Sequence, residues 1–159
     1  MYIDYNDYVT TYRNGGCGPM DFDRLALEAC IKLDNHTTGF DGVKKLRHHF
    51  PVDEMDAKRV KMCACKIVHI LHQIEQAEKA ANKARGYTET ENGIRGKVIT
   101  SVSAGNESIS YSVGGGTTAT LIDKALADKE VQNKLIRDTV REYLSGVTDA
   151  RGVNLLYMG

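Results

Sequence analysis

The feature that most constrains the fold is a long helical stretch in the middle of the sequence. Apolar or small residues recur there at alternating intervals of three and four, which places them on one side of an α-helix. They are Val60, Cys63, Ile67, Ile70, Ile74, Ala77, Ala81 and Ala84. Further apolar residues widen this stripe, namely Ala64, Val68 and Leu71. Asp53 precedes the stretch as an N-cap and Gly86 ends it, so the sequence predicts a helical bundle around one long central helix.

Shorter helices are predicted before the central helix. Tyr5, Tyr8 and Tyr12 have helical spacing, and a second amphipathic helix is predicted from Pro19 to about Gly39. The apolar residues of this second helix are Phe22, Leu25, Ala26, Ala29 and Leu33. A short helix is a further possibility at Val43–His49.

After the central helix, the apolar pattern changes to a period of two. In segments 98–103 and 108–113, alternate residues form one face that is largely apolar and one that is mostly serine, and Gly105-Asn106 lies between them as a turn signal. We expect a β-hairpin that packs on the helices or on another chain, because an isolated hairpin is marginally stable. Its predicted contact residues are Ile109, Tyr111 and Val113.

Three glycines follow the predicted hairpin. Gly114, Gly115 and Gly116 predict a hinge, although with Ala119 they also match the G-x-G-x-x-A pattern of dinucleotide-binding turns. Such a turn follows a strand buried on both faces and precedes a ribose-binding acid, neither of which the sequence offers. The hinge interpretation is therefore favoured, and no cofactor is expected.

A helical region is predicted from Leu121 to Leu144, with an interruption near Asp128 and an end at Ser145-Gly146. The remaining segment, 147–159, is predicted to be an apolar arm outside the helical core. Its predicted contact residues are Val153, Leu155, Leu156, Tyr157 and Met158. The residues alone equally allow this segment to fold back on its own domain.

The balance of charge argues against a nucleic-acid or membrane protein. The 159 residues hold 21 Lys and Arg against 21 Asp and Glu, so no global electrostatic attraction to anionic partners exists. No apolar run approaches the roughly 18 residues of a membrane span, and the first residues lack a signal-peptide pattern. Cys63 and Cys65 diverge on one helix, so reduced thiols and a soluble, cytosolic protein are expected.

Two groups of residues allow a chemical alternative. Cys65, His69 and His72 share a helix face that is expected to lie opposite the apolar seam, where they could bind zinc. A fourth ligand would come from Cys17, Cys30 or His36. A polar helix face without metal is the favoured interpretation, because zinc signatures normally present two close ligand pairs.

The basic group Lys44–His49 allows a second alternative, a small DNA-binding or regulatory protein. A solvated loop is favoured, because no aromatic residues interleave for base stacking. The sequence shows neither a nucleophile–base pattern nor paired carboxylates, so we expect the protein not to be an enzyme.

The order of the motifs resembles the head–tail connector (adaptor, or head-completion) proteins of long-tailed bacteriophages. The matching stretches are Met1–Tyr5 with Tyr8 and Tyr12, Gly15-Gly16, Asp21–Leu25, Ile31–Asp34, Thr38–Phe40, Val60–Ile74, Ser110–Val113, Arg141–Leu144 and Gly152–Gly159. Asn154 is an extra residue in the closing motif, and Met158 stands where the family usually has arginine.

The resemblance implies a mainly α fold with a helical core at about 4–85 and 120–145, a hairpin loop at 86–116 and a C-terminal arm at 147–159. It implies a ring, usually a dodecamer, that lies under the portal protein in the neck of the virion after assembly in the host cytoplasm. Such a ring extends the channel for double-stranded DNA, helps retain the packaged DNA and provides the platform for the next neck or tail protein. The loop and the arm are implied to contact the portal and neighbouring subunits, with no chemical step.

Overall fold

One long helix organises the fold in the computed structural model, which describes residues 1–13, 16–84, 87–89, 95–97 and 121–156. The helices are α1 (Tyr5–Thr11), α2 (Pro19–His36), α3 (Lys45–His48), α4 (Glu54–Ala84), α5 (Leu121–Ala127) and α6 (Lys129–Leu144). The predicted class, a mainly helical bundle around a long central helix, is confirmed. Among the described residues, no helix combines the length and apolar character that a membrane crossing requires.

The central helix α4 begins where the sequence predicts. The Asp53 carboxylate accepts a hydrogen bond of 2.9 Å from the backbone N–H of Asp56, which satisfies one of the free donors of the first turn. The predicted seam is buried from Val60 to Ile74, whereas Ala77 and Ala81 are only half-buried. The first half of α4 is therefore the centre of the core.

Helices α1 and α2 cover one side of α4. The Asp4 carboxylate caps α1 in a reciprocal pair with Asp7, and Pro19 is the first residue of α2, as predicted. Arg24 on α2 donates two hydrogen bonds, of 2.6 and 2.8 Å, to the carboxylate of Glu75 on α4. This paired contact fixes the register of the two helices at the protein surface.

The break between α5 and α6 falls at the predicted residue. Asp128 is the N-cap of α6, and its carboxylate accepts a hydrogen bond of 2.7 Å from the backbone N–H of Glu130. Helix α6 ends at Leu144, and Gly146 adopts a positive φ of 78° that reverses the chain. Because of this reversal, the chain beyond α6 returns towards α3 and the first turn of α4.

Two short strands lie within the predicted loop 86–116. Strands β1 (Tyr87–Glu89) and β2 (Arg95–Lys97) pair antiparallel, with Tyr87 opposite Lys97. The hairpin predicted from the alternating segments 98–103 and 108–113 lies outside the described residues and stays a prediction.

The main core joins α1, α2, α4, α6 and the chain after α6. Its largest fully buried side chains are Tyr8, Phe22, Leu25, Leu33, Leu46, Val60, Ile67, Val68, Ile136, Val140, Leu144 and Leu155. A smaller cluster of Ile70, Ile74 and Ala125 packs α5 against the second half of α4. The presence of Leu155 in the main core bears directly on the predicted arm.

Candidate interaction surfaces

The segment that follows α6 folds back onto the domain. Val147 is fully buried, and Leu155 exposes only 1% of its surface. The backbone N–H of Leu155 donates a hydrogen bond of 2.9 Å to the carbonyl oxygen of Val147. Thr148 and Asn154 form an antiparallel bridge between the two sides of the resulting loop.

This geometry corrects the prediction of a free arm for residues 147–156. Leu155 is a core residue and is not exposed for contact with another chain, whereas Leu156 is half-buried and Val153 is 37% exposed. No local pattern of residues marks this burial, because the partners of the segment lie far away in the chain. Tyr157 and Met158 lie outside the described residues, so their predicted role stays a prediction.

Asp149 organises the folded-back segment. Its buried carboxylate accepts hydrogen bonds from the backbone N–H groups of Arg151 and Val153, at 2.8 and 3.0 Å. The Arg151 guanidinium adds two more, at 3.0 and 2.8 Å. Burial acts to raise the pKa of Asp149, but these hydrogen bonds outweigh it and hold the pKa below its usual value.

The predicted contact residues of the hairpin cannot be placed. Ile109, Tyr111 and Val113 lie outside the described residues, as do the hinge glycines Gly114–Gly116. Their predicted roles stay predictions.

The candidate metal face of α4 lies under α1 and is not a solvated polar face. Cys65 is almost fully buried, and His69 stacks on the ring of Tyr12 with centroids 4.3 Å apart. The Tyr8 hydroxyl lies 3.3 Å from Nδ1 of His69. The face that the sequence predicts as polar is therefore largely covered, because the aromatic rings of α1 pack on it.

The electrostatics of this face fit a packed interior. Burial raises the pKa of Cys65 to about 11, which disfavours the thiolate that a metal needs. Burial, followed by the charges of Lys66 and His72, lowers the pKa of His69. Within the described part of the chain, no three His, Cys, Asp or Glu residues are grouped closely enough to hold one metal ion.

The basic group Lys44–His49 is divided between the interior and the surface. Lys45 is buried and donates a hydrogen bond of 3.1 Å to the carbonyl oxygen of Asn154. Arg47 and His48 are exposed. One of the central cations of this group therefore holds the folded-back segment and is not part of its exposed basic surface.

An apolar stripe on the outer side of α2 was missed by the sequence analysis. Met20, Leu27 and Ile31 are 93%, 57% and 48% exposed, at helical spacing on the side that faces away from α4. We call these three residues the outer stripe. Their spacing of seven and four is visible in the sequence once the core positions of α2 are set aside.

A cleft of about 360 Å³ adjoins the outer stripe. Its lining residues are Met1, Tyr2, Leu27, Cys30, Ile31, Asp34, Lys44 and Arg47. The Tyr2 hydroxyl donates a hydrogen bond to the buried carboxylate of Asp34, and burial together with that carboxylate raises the pKa of Tyr2. The apolar stripe thus continues into a cleft with charged groups at its edge.

Comparisons with known proteins add no family to this description. The chain matches no protein-family model, and no curated protein or solved structure is significantly similar to it.

Proposed function

We propose that the protein is a structural subunit of a tailed-phage neck, which assembles into a ring against the portal and carries the next neck or tail protein. The observation that carries the proposal is the outer stripe of α2. Isolated exposed apolar residues are ordinary, but an aligned row beside a cleft is typical of a protein–protein interface.

The form of the proposed assembly, a ring, comes from the resemblance to phage connectors. The matching stretches coincide with structural elements: Asp21–Leu25 lies in α2, Val60–Ile74 in α4 and Arg141–Leu144 at the end of α6. The family resemblance implies a helical core, and the bundle around α4 supports the proposal at that level.

A closed ring needs two different surfaces on each subunit, because one patch must bind a second patch on the next copy. The outer stripe supplies the first surface. The predicted hairpin, with Ile109, Tyr111 and Val113, supplies the second. Many copies in one ring multiply a modest contact, so neither surface needs high affinity by itself.

Size-exclusion chromatography with light scattering tests the proposal, on the purified protein alone and mixed with a phage portal protein. We expect concentration-dependent oligomers or a stable complex with the portal. The double variant L27E/I31E should remain monomeric or lose portal binding, because two buried carboxylates oppose association.

The matched control carries the same type of change on another exposed apolar pair, V52E/M55E. It should assemble as the unchanged protein does, and circular dichroism should show equal helix content in both variants. A chain that stays monomeric at every concentration and does not bind the portal contradicts the proposal.

A further inference from the structure

A cleft between the end of α2 and the second half of α6 collects positive charge. Its lining residues are Asn35, His36, Arg137, Val140, Arg141 and Leu156, which enclose about 210 Å³. We call it the basic cleft. We propose that the basic cleft binds a carboxylate side chain in an acidic, leucine-containing segment of a partner protein. This proposal does not rest on the neck assignment.

The two guanidinium groups of the basic cleft lack a partner within the described chain. Arg137 and Arg141 are four residues apart on α6, so their like charges face each other on one side of the helix. In the described residues, neither side chain forms a hydrogen bond or an ion pair with an acid. Planar guanidinium groups in such a pair are suited to bidentate binding of a carboxylate.

Helix α2 adds to the same positive field. His36 lies half-buried at its end, and Lys32 lies one turn earlier, paired at 3.4 Å with Glu28. Burial lowers the pKa of His36, and the charges of Arg137, Lys32 and Arg141 lower it further. The imidazole therefore experiences an excess of positive charge that a bound anion would neutralise.

The floor of the basic cleft is apolar. Val140 is buried and Leu156 is half-buried, so the exposed part of Leu156 offers a surface to an apolar side chain next to the bound carboxylate. The volume suits one or two side chains. An apolar floor with a few placed charges can orient a ligand that carries both an apolar and an anionic group.

The surroundings of the cleft favour a protein over nucleic acid. Asp138 and Glu142, each next to one of the two arginines, are exposed on α6. Their negative charges repel a long phosphate backbone, because such a backbone would have to pass over them. A single carboxylate inserted into the cleft avoids this repulsion. Duplex DNA binding also needs several separated phosphate contacts, whereas these cations converge on one small concave site.

Binding to the full-length protein can be measured by fluorescence anisotropy with a labelled, capped peptide of alternating leucine and glutamate. The matched peptide of leucine and glutamine, inorganic phosphate and a short DNA duplex serve as comparisons. We expect the glutamate peptide to bind, and R137E/R141E to weaken its binding about tenfold or more, since charge-assisted hydrogen bonds are lost. K58E/K83E, a change of equal charge at two exposed lysines of α4, should alter it by less than about twofold.

A second readout separates the basic cleft from the rest of the surface. By NMR, the pKa of His36 should rise when the glutamate peptide binds and stay constant with the glutamine peptide. Equal affinity for both peptides overturns the proposal, as does tighter arginine-dependent binding of phosphate or DNA. Unaltered glutamate-peptide binding by R137E/R141E with intact helix content also overturns it.

Discussion

The Nζ of Lys45 donates a hydrogen bond of 3.1 Å to the carbonyl oxygen of Asn154, across 109 positions of sequence. A second link joins the same regions, because the backbone N–H of Ala150 donates to the carbonyl oxygen of His49 at 3.1 Å. The Asp56 carboxylate in the first turn of α4 accepts hydrogen bonds from the backbone N–H and hydroxyl of Thr148. The folded-back segment is thus held to α3 and α4 by polar contacts as well as by the core.

Replacement of Leu155 by alanine tests whether this segment is core. We expect L155A to lower the free energy of unfolding by about 2–5 kcal/mol, because a fully buried leucine leaves a cavity. Guanidinium unfolding followed by circular dichroism measures the loss. V153A is the control in the same segment and should change stability by about 0.5 kcal/mol or less. Equal, small effects of both substitutions would show that the segment is a dispensable arm.

Asp149 should contribute to stability only when it is ionised. Its pKa is lowered in the folded protein, so the unfolded chain takes up its proton first as the pH falls. The contribution is complete above the usual aspartate pKa of about 3.9 and is lost as the pH falls from there through the lower, folded value. D149N should destabilise the protein at neutral pH and flatten the acid limb of its stability curve. If the stability of D149N and that of the unchanged protein depend on pH in the same way, Asp149 is not the source of the acid limb.

His69 should also make the stability depend on pH, but at less acidic values than Asp149 does. The pKa of His69 is lowered by burial first, then by Lys66 and His72, so the folded protein favours the neutral ring. As the pH falls below about 6.5, the unfolded chain gains a proton that the folded chain resists, and stability decreases until the folded pKa is reached. The unfolding midpoint should therefore be lower at about pH 5.5 than at about pH 7.5.

H69Q should reduce this difference without abolishing it, because the pKa of His36 is lowered as well. The exposed His48 supplies the control H48Q, which should leave the difference unchanged. An unaltered difference in H69Q would remove His69 as its source.

The cysteines should report on unfolding. Cys17, Cys30, Cys63 and Cys65 are all buried free thiols. Burial raises the pKa of Cys63 to about 12 and that of Cys65 to about 11, so little thiolate is present at neutral pH. A thiol reagent such as Ellman's should react slowly with the native protein and rapidly, at four sites, in denaturant. Fast reaction of several thiols in the native protein would contradict the packing of α4.

The helices were predictable because their signals are local. Asp53 and Asp128 cap the helices that they precede, and the spacing from Val60 to Ile74 marks the buried side of α4. Each signal lies within a few residues of the structure that it specifies. The mainly helical class follows from such signals alone.

The surfaces were less predictable, because their partners are distant in sequence. From the sequence, Leu155 resembles a docking residue and His69 resembles a possible metal ligand on a polar helix face. The burial of Leu155 and the packing of α1 on His69 appear only in the fold. The charge of the basic cleft arises where Arg137 and His36 meet, a contact between helices on which the sequence is silent. Leu27 and Ile31 were missed although they were predictable, since their helical spacing places them on the side of α2 that is opposite its core positions.

The burial of Leu155 also has a consequence for synthesis. A ribosome delivers α2 and α4 long before the segment that closes the core between α3 and α6, so the early chain carries an unfilled apolar slot. The core is therefore completed late in synthesis, after residues 147–156 have left the ribosomal exit tunnel. Until then the nascent chain exposes apolar surface on which it can aggregate or bind chaperones, and we expect a chain truncated near Gly146 to be less stable than the full chain.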